Sequence, residues 1–327
     1  NVTFADLFAH RSGLPGIPAG NDIEAVGVPR EEILERLELV PLDPFRQDFS
    51  YSNWAMTLGG EAAAIAAGTT WEDAAEDYLF TPAGMDSTSM RHEDFLGRQN
   101  RAELHVETDG GWVPEFPRDP EPQAPAGGVS SNVVDLAEWV RLQLADGSLG
   151  GEEIVDAEFL DATHTPHVTK RPAMGAQPAS SYGLGWNVGT NPFGYLEWNH
   201  SGAFSSGAAT AVKIVPDADV GIVVLTNAAP IGVAEAIGDE WLGWVLTDGE
   251  DDTEWLPMWR ERMAGLYGEQ LEVPDPADPT DPRDPAAYVG TYANDYVGEI
   301  RAVSYTHLTL PTSSVRGGGG GGGGGGG

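Results

Sequence analysis

Four segments between residues 182 and 227 constrain the fold more tightly than any other part of the chain. YGLGWNVG, YLEWNHSG, GAATAVKIVP and VGIVVLTN are short, rich in β-branched and aromatic residues, and bounded by Gly, Pro, Asn or Asp. That pattern reads as strands joined by turns, and PDAD between the last two is a hairpin signal. A helix is expected from about Val233 to Leu246. Before residue 180 the periodicity is helical. Thr3 can cap a helix with Phe4, Leu7 and Phe8 on one face. Pro29 opens EEILERLEL, and a third helix runs from about Trp54 to Ala67 with Gly68 as its stop. Thr70 and Asp73 have capping-box spacing before WEDAAEDYLF. Residues 91–125 read as loop with short strands. Ser131 is expected to cap NVVDLAEWVRLQLADG, whose Val133, Leu136, Val140 and Leu144 form an apolar stripe. The fold class is therefore α/β: an antiparallel sheet flanked by helices, plus a helical subdomain.

Charge narrows the partners. Fifty-one acidic residues face seventeen basic ones, for a net charge of −34 in 327 residues. Such a chain repels nucleic acid and anionic lipid, so neither is an expected partner. The acid is spread along the whole sequence, which favours a halophile-like, strongly hydrated surface over a docking patch. At low salt, self-repulsion is expected to loosen the fold. No stretch of 18 apolar residues occurs, so no membrane-spanning helix is expected. The chain has no cysteine, which excludes disulfides and thiolate chemistry. The seven histidines are scattered without H-E-x-x-H or a comparable cluster, so no metal and no cofactor are expected.

Two short motifs could carry chemistry. In FSYSN, Tyr51 and Asn53 stand at a helix N-terminus, where free N–H groups and the helix dipole favour an anion such as a tyrosinate. The alternative is that Ser52 or Asn53 caps the helix while Tyr51 packs. In His200-Ser201-Gly202-Ala203, an imidazole or hydroxyl at a strand start could polarise a substrate, and a strand N–H could donate to an oxyanion. The alternative is a surface histidine in a turn.

Taken in order, FADLFAHRSGLPG, FSYSN, AGMDSTSM, PAGGVSSNVVDLAEWV, YGLGW and HSGAFSSGAATAVKIVPDADVGIVVLTN resemble the serine hydrolases of the class C β-lactamase and penicillin-binding-protein family, over roughly residues 1–245. The resemblance implies a β-lactamase/transpeptidase-like fold and an acyl-enzyme formed by a Ser of an S-x-x-K motif. It implies Tyr51 as base or proton relay, Asn53 as a substrate-orienting group, and His200 at the first position of the family's K-T-G box. Ser201, Gly202 and Ala203 would then form the substrate and oxyanion strand, Ala203 through its N–H, a donor typically worth roughly 2.7–4 kcal/mol. It also implies a small-molecule or peptide substrate, and it points to an extracytoplasmic location that the sequence itself does not fix.

No S-x-x-K exists in the chain: His167 precedes Lys170 at that spacing and Thr210 precedes Lys213. In the family that helix lies before the SGLP box, which here begins at Ser12. The domain is therefore expected to be incomplete at its N-terminus, and this fragment to be inactive. Replacing the box Lys by His200 removes a permanent cation, which favours an esterase or peptidase-like hydrolase over a dedicated β-lactamase. A non-catalytic, penicillin-binding-like recognition module is the competing reading. The expected organisation is a hydrolase domain over 1–247, a helix and Pro/Asp-rich linker over 248–286, and the start of a β domain over 287–302. An artefactual tail is expected over 303–327.

Overall fold

The computed structural model describes residues 1–16, 19–174, 178–268, 281 and 283–303. Most of the Pro/Asp-rich linker and nearly all of the expected tail lie outside the described residues. The chain forms two compact units, one of Asn1–Gly16 with Leu42–Glu272 and one of Ile17–Pro41 with Val273–Gly327.

The larger unit is built on a six-stranded sheet. Its strands are β1 (Val168–Arg171), β2 (Ser180–Tyr182), β3 (Asn187–Thr190), β4 (Leu196–Phe204), β5 (Ala208–Val215) and β6 (Val220–Thr226). Their spatial order follows the sequence order and every pairing is antiparallel, so the sheet is a simple meander. Asp219 closes the PDAD turn in the left-handed region, at φ 53°, a conformation Asp tolerates better than most residues.

Alternation along β5 gives the sheet two working faces. On one, Ala209 and Ala211 meet Ala234 of the Val233–Leu246 helix; small residues on both sides bring the helix close. On the other, Ile214 and Val212 pack with Val188, Trp186 and Val140 of the Val133–Leu144 helix. At Gly221 a Cβ would lie 2.6 Å from a Val140 methyl, so that crossing requires glycine. The helical subdomain has its own core of Phe80, Ala83, Met85, Met90 and Ala124.

Ahead of these elements, Thr3 and Asp6 form a complete capping box on the Phe4–Phe8 helix. The next major helix is Asn53–Ala67, stopped by Gly68 at φ 73°. Its Gly59 and Gly60 allow close approach of Phe8 and Pro125, which offsets the roughly 1 kcal/mol that each glycine costs inside a helix.

Several expectations are corrected. Asn132, not Ser131, caps the Val133–Leu144 helix, accepting from Val134 and Asp135 N–H, because the Ser131 hydroxyl is bonded to Thr88 Oγ1 at 2.7 Å. Val133 is 53% exposed, while Leu142 is fully buried, so the buried face is rotated from the expected stripe. Only half of the Thr70 capping box forms: Thr70 accepts from Asp73 N–H, but the Asp73 carboxylate pairs with Arg91 at 2.6 Å. A helix, His92–Gly97, stands in the stretch read as loop with strands. The strand β1 was not expected.

In the smaller unit, Gly290–Asn294 and Gly298–Ala302 form a hairpin turning through Asp295–Val297. Tyr296 from that turn accepts from Gly20 N–H and donates to Asp22 Oδ1, and its carbonyl accepts from Arg36. No helix among the described residues is long and apolar enough to cross a membrane.

Candidate active site

Tyr51 and His200 come from distant parts of the chain, and the fold sets their rings 6.1 Å apart between centroids. Tyr51 stands one residue before Ser52, the N-cap of the Asn53–Ala67 helix, whose hydroxyl accepts from Ala55 N–H at 3.1 Å. His200 lies on β4, on the sheet. The helix start and the strand thus present a phenol and an imidazole to one another.

Four further residues complete the cluster. The Tyr182 hydroxyl on β2 lies 3.0 Å from His200 Nε2. The His10 ring is 4.3 Å from Tyr51 and 5.0 Å from Tyr182, and Phe49 is 5.2 Å from Tyr182. Lys170 on β1 places its Nζ 5.1 Å from the Phe49 ring and 5.6 Å from that of Tyr182, and it donates to Asn187 Oδ1.

The hydrogen bonds sort these groups by availability. His200 Nδ1 lies 2.8 Å from the Ser201 carbonyl, which can only accept, so the proton is on Nδ1. Nε2 is then the acceptor, and Tyr182 the donor. Both nitrogens of His200 and the hydroxyl of Tyr182 are committed within the protein. Neither the Tyr51 hydroxyl nor the Asn53 side-chain amide has a hydrogen-bond partner among the described residues, and both residues are half-buried.

The electrostatics are those of a site that excludes charge. Burial, with Lys170 nearby, pulls the imidazole of His200 down to about 4. Burial, then His200 and Lys170, pulls His10 to about 3. Burial pushes the Tyr51 phenol up to about 12, with Tyr267 adding to it, and pushes Tyr182 higher still. At neutral pH both imidazoles are neutral and both phenols protonated. The helix N-terminus beside Tyr51 does not produce a tyrosinate; desolvation outweighs it.

Ser201, Gly202 and Ala203 follow His200 on β4 and pair with Ala211, Thr210 and Ala209 of β5. On the other side β3 stops pairing at Asn199, so this segment is paired on one side only. Alternate N–H groups there point away from the partner strand. Ser201 and Gly202 are exposed. A Cβ at Gly202 would lie 2.7 Å from Thr210 Oγ1, which explains glycine at that position.

The sequence reading missed His10, Phe49, Tyr182 and Lys170. Tyr182 and His10 stand inside the motifs YGLGW and FAHRSGLPG and could have been drawn from them. Lys170 carried no signal, because β1 itself was not foreseen. No group of three or more acidic or His side chains among the described residues is arranged to hold a metal. Two surface hollows, of ≈ 310 and ≈ 350 Å³, lie elsewhere: one is lined by His105, Trp112, Asn227 and Ala228, the other by acidic residues including Glu76 and Asp94.

The chain is 25% identical over 239 residues to "Unguisins hydrolase ungD'" of Aspergillus campestris (strain IBT 28561), covering 70% of this chain and 42% of that protein. It is 25% identical over 304 residues to "Penicillin-binding protein 4" of Amycolatopsis lactamdurans, covering 90% and 72%. The fold matches the octameric penicillin-binding protein homologue from Pyrococcus abyssi with a TM-score of 0.63 at 22% identity, over 79% of this chain and 58% of that one. The chain thus spans less than two thirds of the length of the Aspergillus campestris hydrolase and of the Pyrococcus abyssi homologue. The profile of the β-lactamase family matches residues 1–241, well over half of the chain, and the chain belongs to the β-lactamase family.

Proposed function

We propose that this chain belongs to a serine hydrolase that cleaves an ester, amide or lactam through an acyl-enzyme, with Tyr51 as its proton relay. The observation that carries the reading is the approach of the Tyr51 and His200 rings to 6.1 Å, with the Tyr51 hydroxyl left without a hydrogen-bond partner among the described residues. Asn53 orients the substrate, and Ser201, Gly202 and Ala203 line it, Ala203 offering its N–H to the oxyanion. His200, neutral and hydrogen-bonded by Tyr182, shapes the pocket rather than abstracting a proton. An uncharged group at that position favours an ester or peptide bond over a β-lactam.

The nucleophile is not among these 327 residues. The sequence holds no S-x-x-K. Of its two lysines, Lys213 is bound to Asp239, and Lys170 sits on a strand with no serine at the required spacing. A phenol raised to about 12 becomes a base at neutral pH only with a cation against it, which lowers its pKa; the lysine of that motif would supply it.

A fluorophosphonate and a fluorescent penicillin test the reading, applied to this chain and to the product of any longer reading frame that contains it. The 327-residue chain is expected to take neither label and to hydrolyse nothing. The longer product is expected to be labelled at a serine and to lose turnover in the Tyr51→Phe variant. Labelling of the short chain would place the nucleophile within it. A longer frame without S-x-x-K would favour the non-catalytic recognition module, for which the likeness to a protein named for penicillin binding is the supporting observation.

A further inference from the structure

We propose that His10 is the positioning residue of Tyr51: its backbone carbonyl and its imidazole grip the residues on either side, and its ring forms the wall on which the phenol lies. The inference rests on the reading of Tyr51 as the proton-handling group.

Three contacts carry it. Ser50 N–H donates to the His10 carbonyl at 2.9 Å. Ser52 N–H donates to His10 Nδ1 at 3.1 Å. The intervening residue, Tyr51, lies against the same imidazole, with ring centroids 4.3 Å apart and planes tilted by 40°. One residue thus holds the backbone before and after the phenol and the phenol itself.

Two further observations set His10 apart from ordinary packing. Its backbone is left-handed, at φ 54°, a region that costs a non-glycine residue roughly 1–2 kcal/mol. That conformation persists only where surrounding contacts over-determine it, and such residues gather at functional sites. The side chain is also 1% exposed, yet Nε2 has no hydrogen-bond partner among the described residues. Because Nδ1 accepts from Ser52, the proton must be on Nε2, among the rings of Phe49, Tyr51 and Tyr182. A buried N–H left without an acceptor is an expense that packing alone does not require, since Phe would fill the space. The Nδ1 acceptor aimed at Ser52 is what Phe could not provide.

The position is held from behind. Asp6, fully buried, binds Arg11 at 2.9 Å and Arg46 at 2.7 Å, and Arg11 donates to the His167 carbonyl. Arg46 N–H also donates to the Arg11 carbonyl. His10 therefore projects from a segment pinned next to it.

The test reads the phenol directly and needs no catalysis. In chain labelled with ζ-13C-tyrosine, the Tyr51 resonance is assigned by its loss in Tyr51→Phe and titrated, with exposed Tyr78 as control. The groups facing Tyr51 are His10, Tyr182, His200 and Tyr267, and of these only His10 is changed. His10→Gly keeps the left-handed backbone and the carbonyl but removes the imidazole. It is expected to leave Ser50 N–H protected from hydrogen exchange, to unprotect Ser52 N–H, and to bring the Tyr51 midpoint from about 12 toward 10. His10→Asn tolerates the same backbone and carries its own acceptor, so Ser52 protection is expected to return. An unmoved Tyr51 midpoint with Ser52 still protected in His10→Gly overturns the proposal. Should that variant not fold, His10→Asn decides: an unprotected Ser52 with a wild-type Tyr51 midpoint overturns it equally. Failure of the acyl-enzyme probes would strike the hydrolase reading and leave this readout intact.

Discussion

The only two lysines of the chain occupy opposite chemical surroundings. Lys213, on β5, has 9% of its side chain exposed and is enclosed by carboxylates. It bonds Asp239 from the Val233–Leu246 helix, lies 3.8 Å from Glu197 on β4, and sits 5.6 Å from the ring of Trp259. Trp259 Nε1 in turn donates to Asp239 at 2.6 Å. Lys170 is an exposed residue at the edge of the same sheet. In a protein of net charge −34 it has no carboxylate within 4.0 Å among the described residues; its partners are an amide oxygen and two aromatic rings. One region balances charge beneath the sheet, and the other keeps charge out of an aromatic pocket and leaves a cation at its rim. The first is what a fold needs to join helix to strand. The second leaves the Tyr51 hydroxyl and the Asn53 amide without a partner among the described residues.

The sharpest way to break that contrast is to remove Lys213. Lys213→Met strands Asp239 and Glu197 in a buried site with no cation, and breaking one side of a buried pair typically costs about 3–5 kcal/mol. Urea unfolding in molar salt, which suppresses general repulsion, is expected to show a loss of that size. Adding Asp239→Asn should return part of it by removing one stranded charge. A loss below about 1 kcal/mol would mean the network is no more structural than the pocket.

The two regions also answer pH with opposite signs. His10 and His200 have folded values of about 3 and about 4, below the ordinary 6.5. Between those limits the unfolded chain binds protons that the fold refuses. Their contribution is therefore complete above pH 6.5 and is lost as pH falls, by up to about 1.4 kcal/mol per pH unit for each. Glu197 is pushed up from 4.5, chiefly by burial, against the pull of Lys213. Its folded form binds the proton first, so acidification through that window favours the fold. His200→Gln is expected to flatten the acid-side loss of stability by up to about 1.4 kcal/mol per pH unit, and Glu197→Gln to steepen it. Urea titrations at fixed salt between pH 4.5 and 7 check both.

Sequence reading recovered what local chemistry decides. The Val233–Leu246 helix, the turn at PDAD and the stop at Gly68 each depend on a few adjacent residues, and each stands where those residues place it. Tyr51 and His200, whose rings the fold brings within 6.1 Å, each stand in a short motif that singles them out in the sequence. What escaped depends on contacts across the chain. Ser131 and Asn132 are equally good caps in sequence, and only the Thr88 hydroxyl decides between them. β1 is four residues long with three exposed, so it has no alternation to betray it, and Lys170 was hidden with it. His10 acts on residues 40 and more positions away. The sequence shows Thr210 ahead of Lys213 at the S-x-x-K spacing, but the pairing of Lys213 with Asp239 needs the sheet and the closing helix in place.

The finest test removes the unpaired cation. Lys170→Met keeps the length of the side chain and its packing on the Phe49 ring while deleting the charge. The cation–π attraction to the rings is worth about 0.5–1 kcal/mol at exposed sites, and its removal leaves no buried carboxylate behind. Stability should therefore change by no more than about 1 kcal/mol. The charge itself reaches further: Lys170 helps hold His200 down, so its removal is expected to raise the His200 midpoint, measured on the imidazole Cε1 proton. Burial, the larger cause, remains, and the midpoint should stay below the ordinary 6.5. A loss of stability approaching that of Lys213→Met would show that Lys170 carries structural charge after all, and the distinction between the two lysines would fall. A small loss joined to a raised His200 midpoint would place Lys170 at the pocket as the cation that His200 and the Tyr182 ring sense.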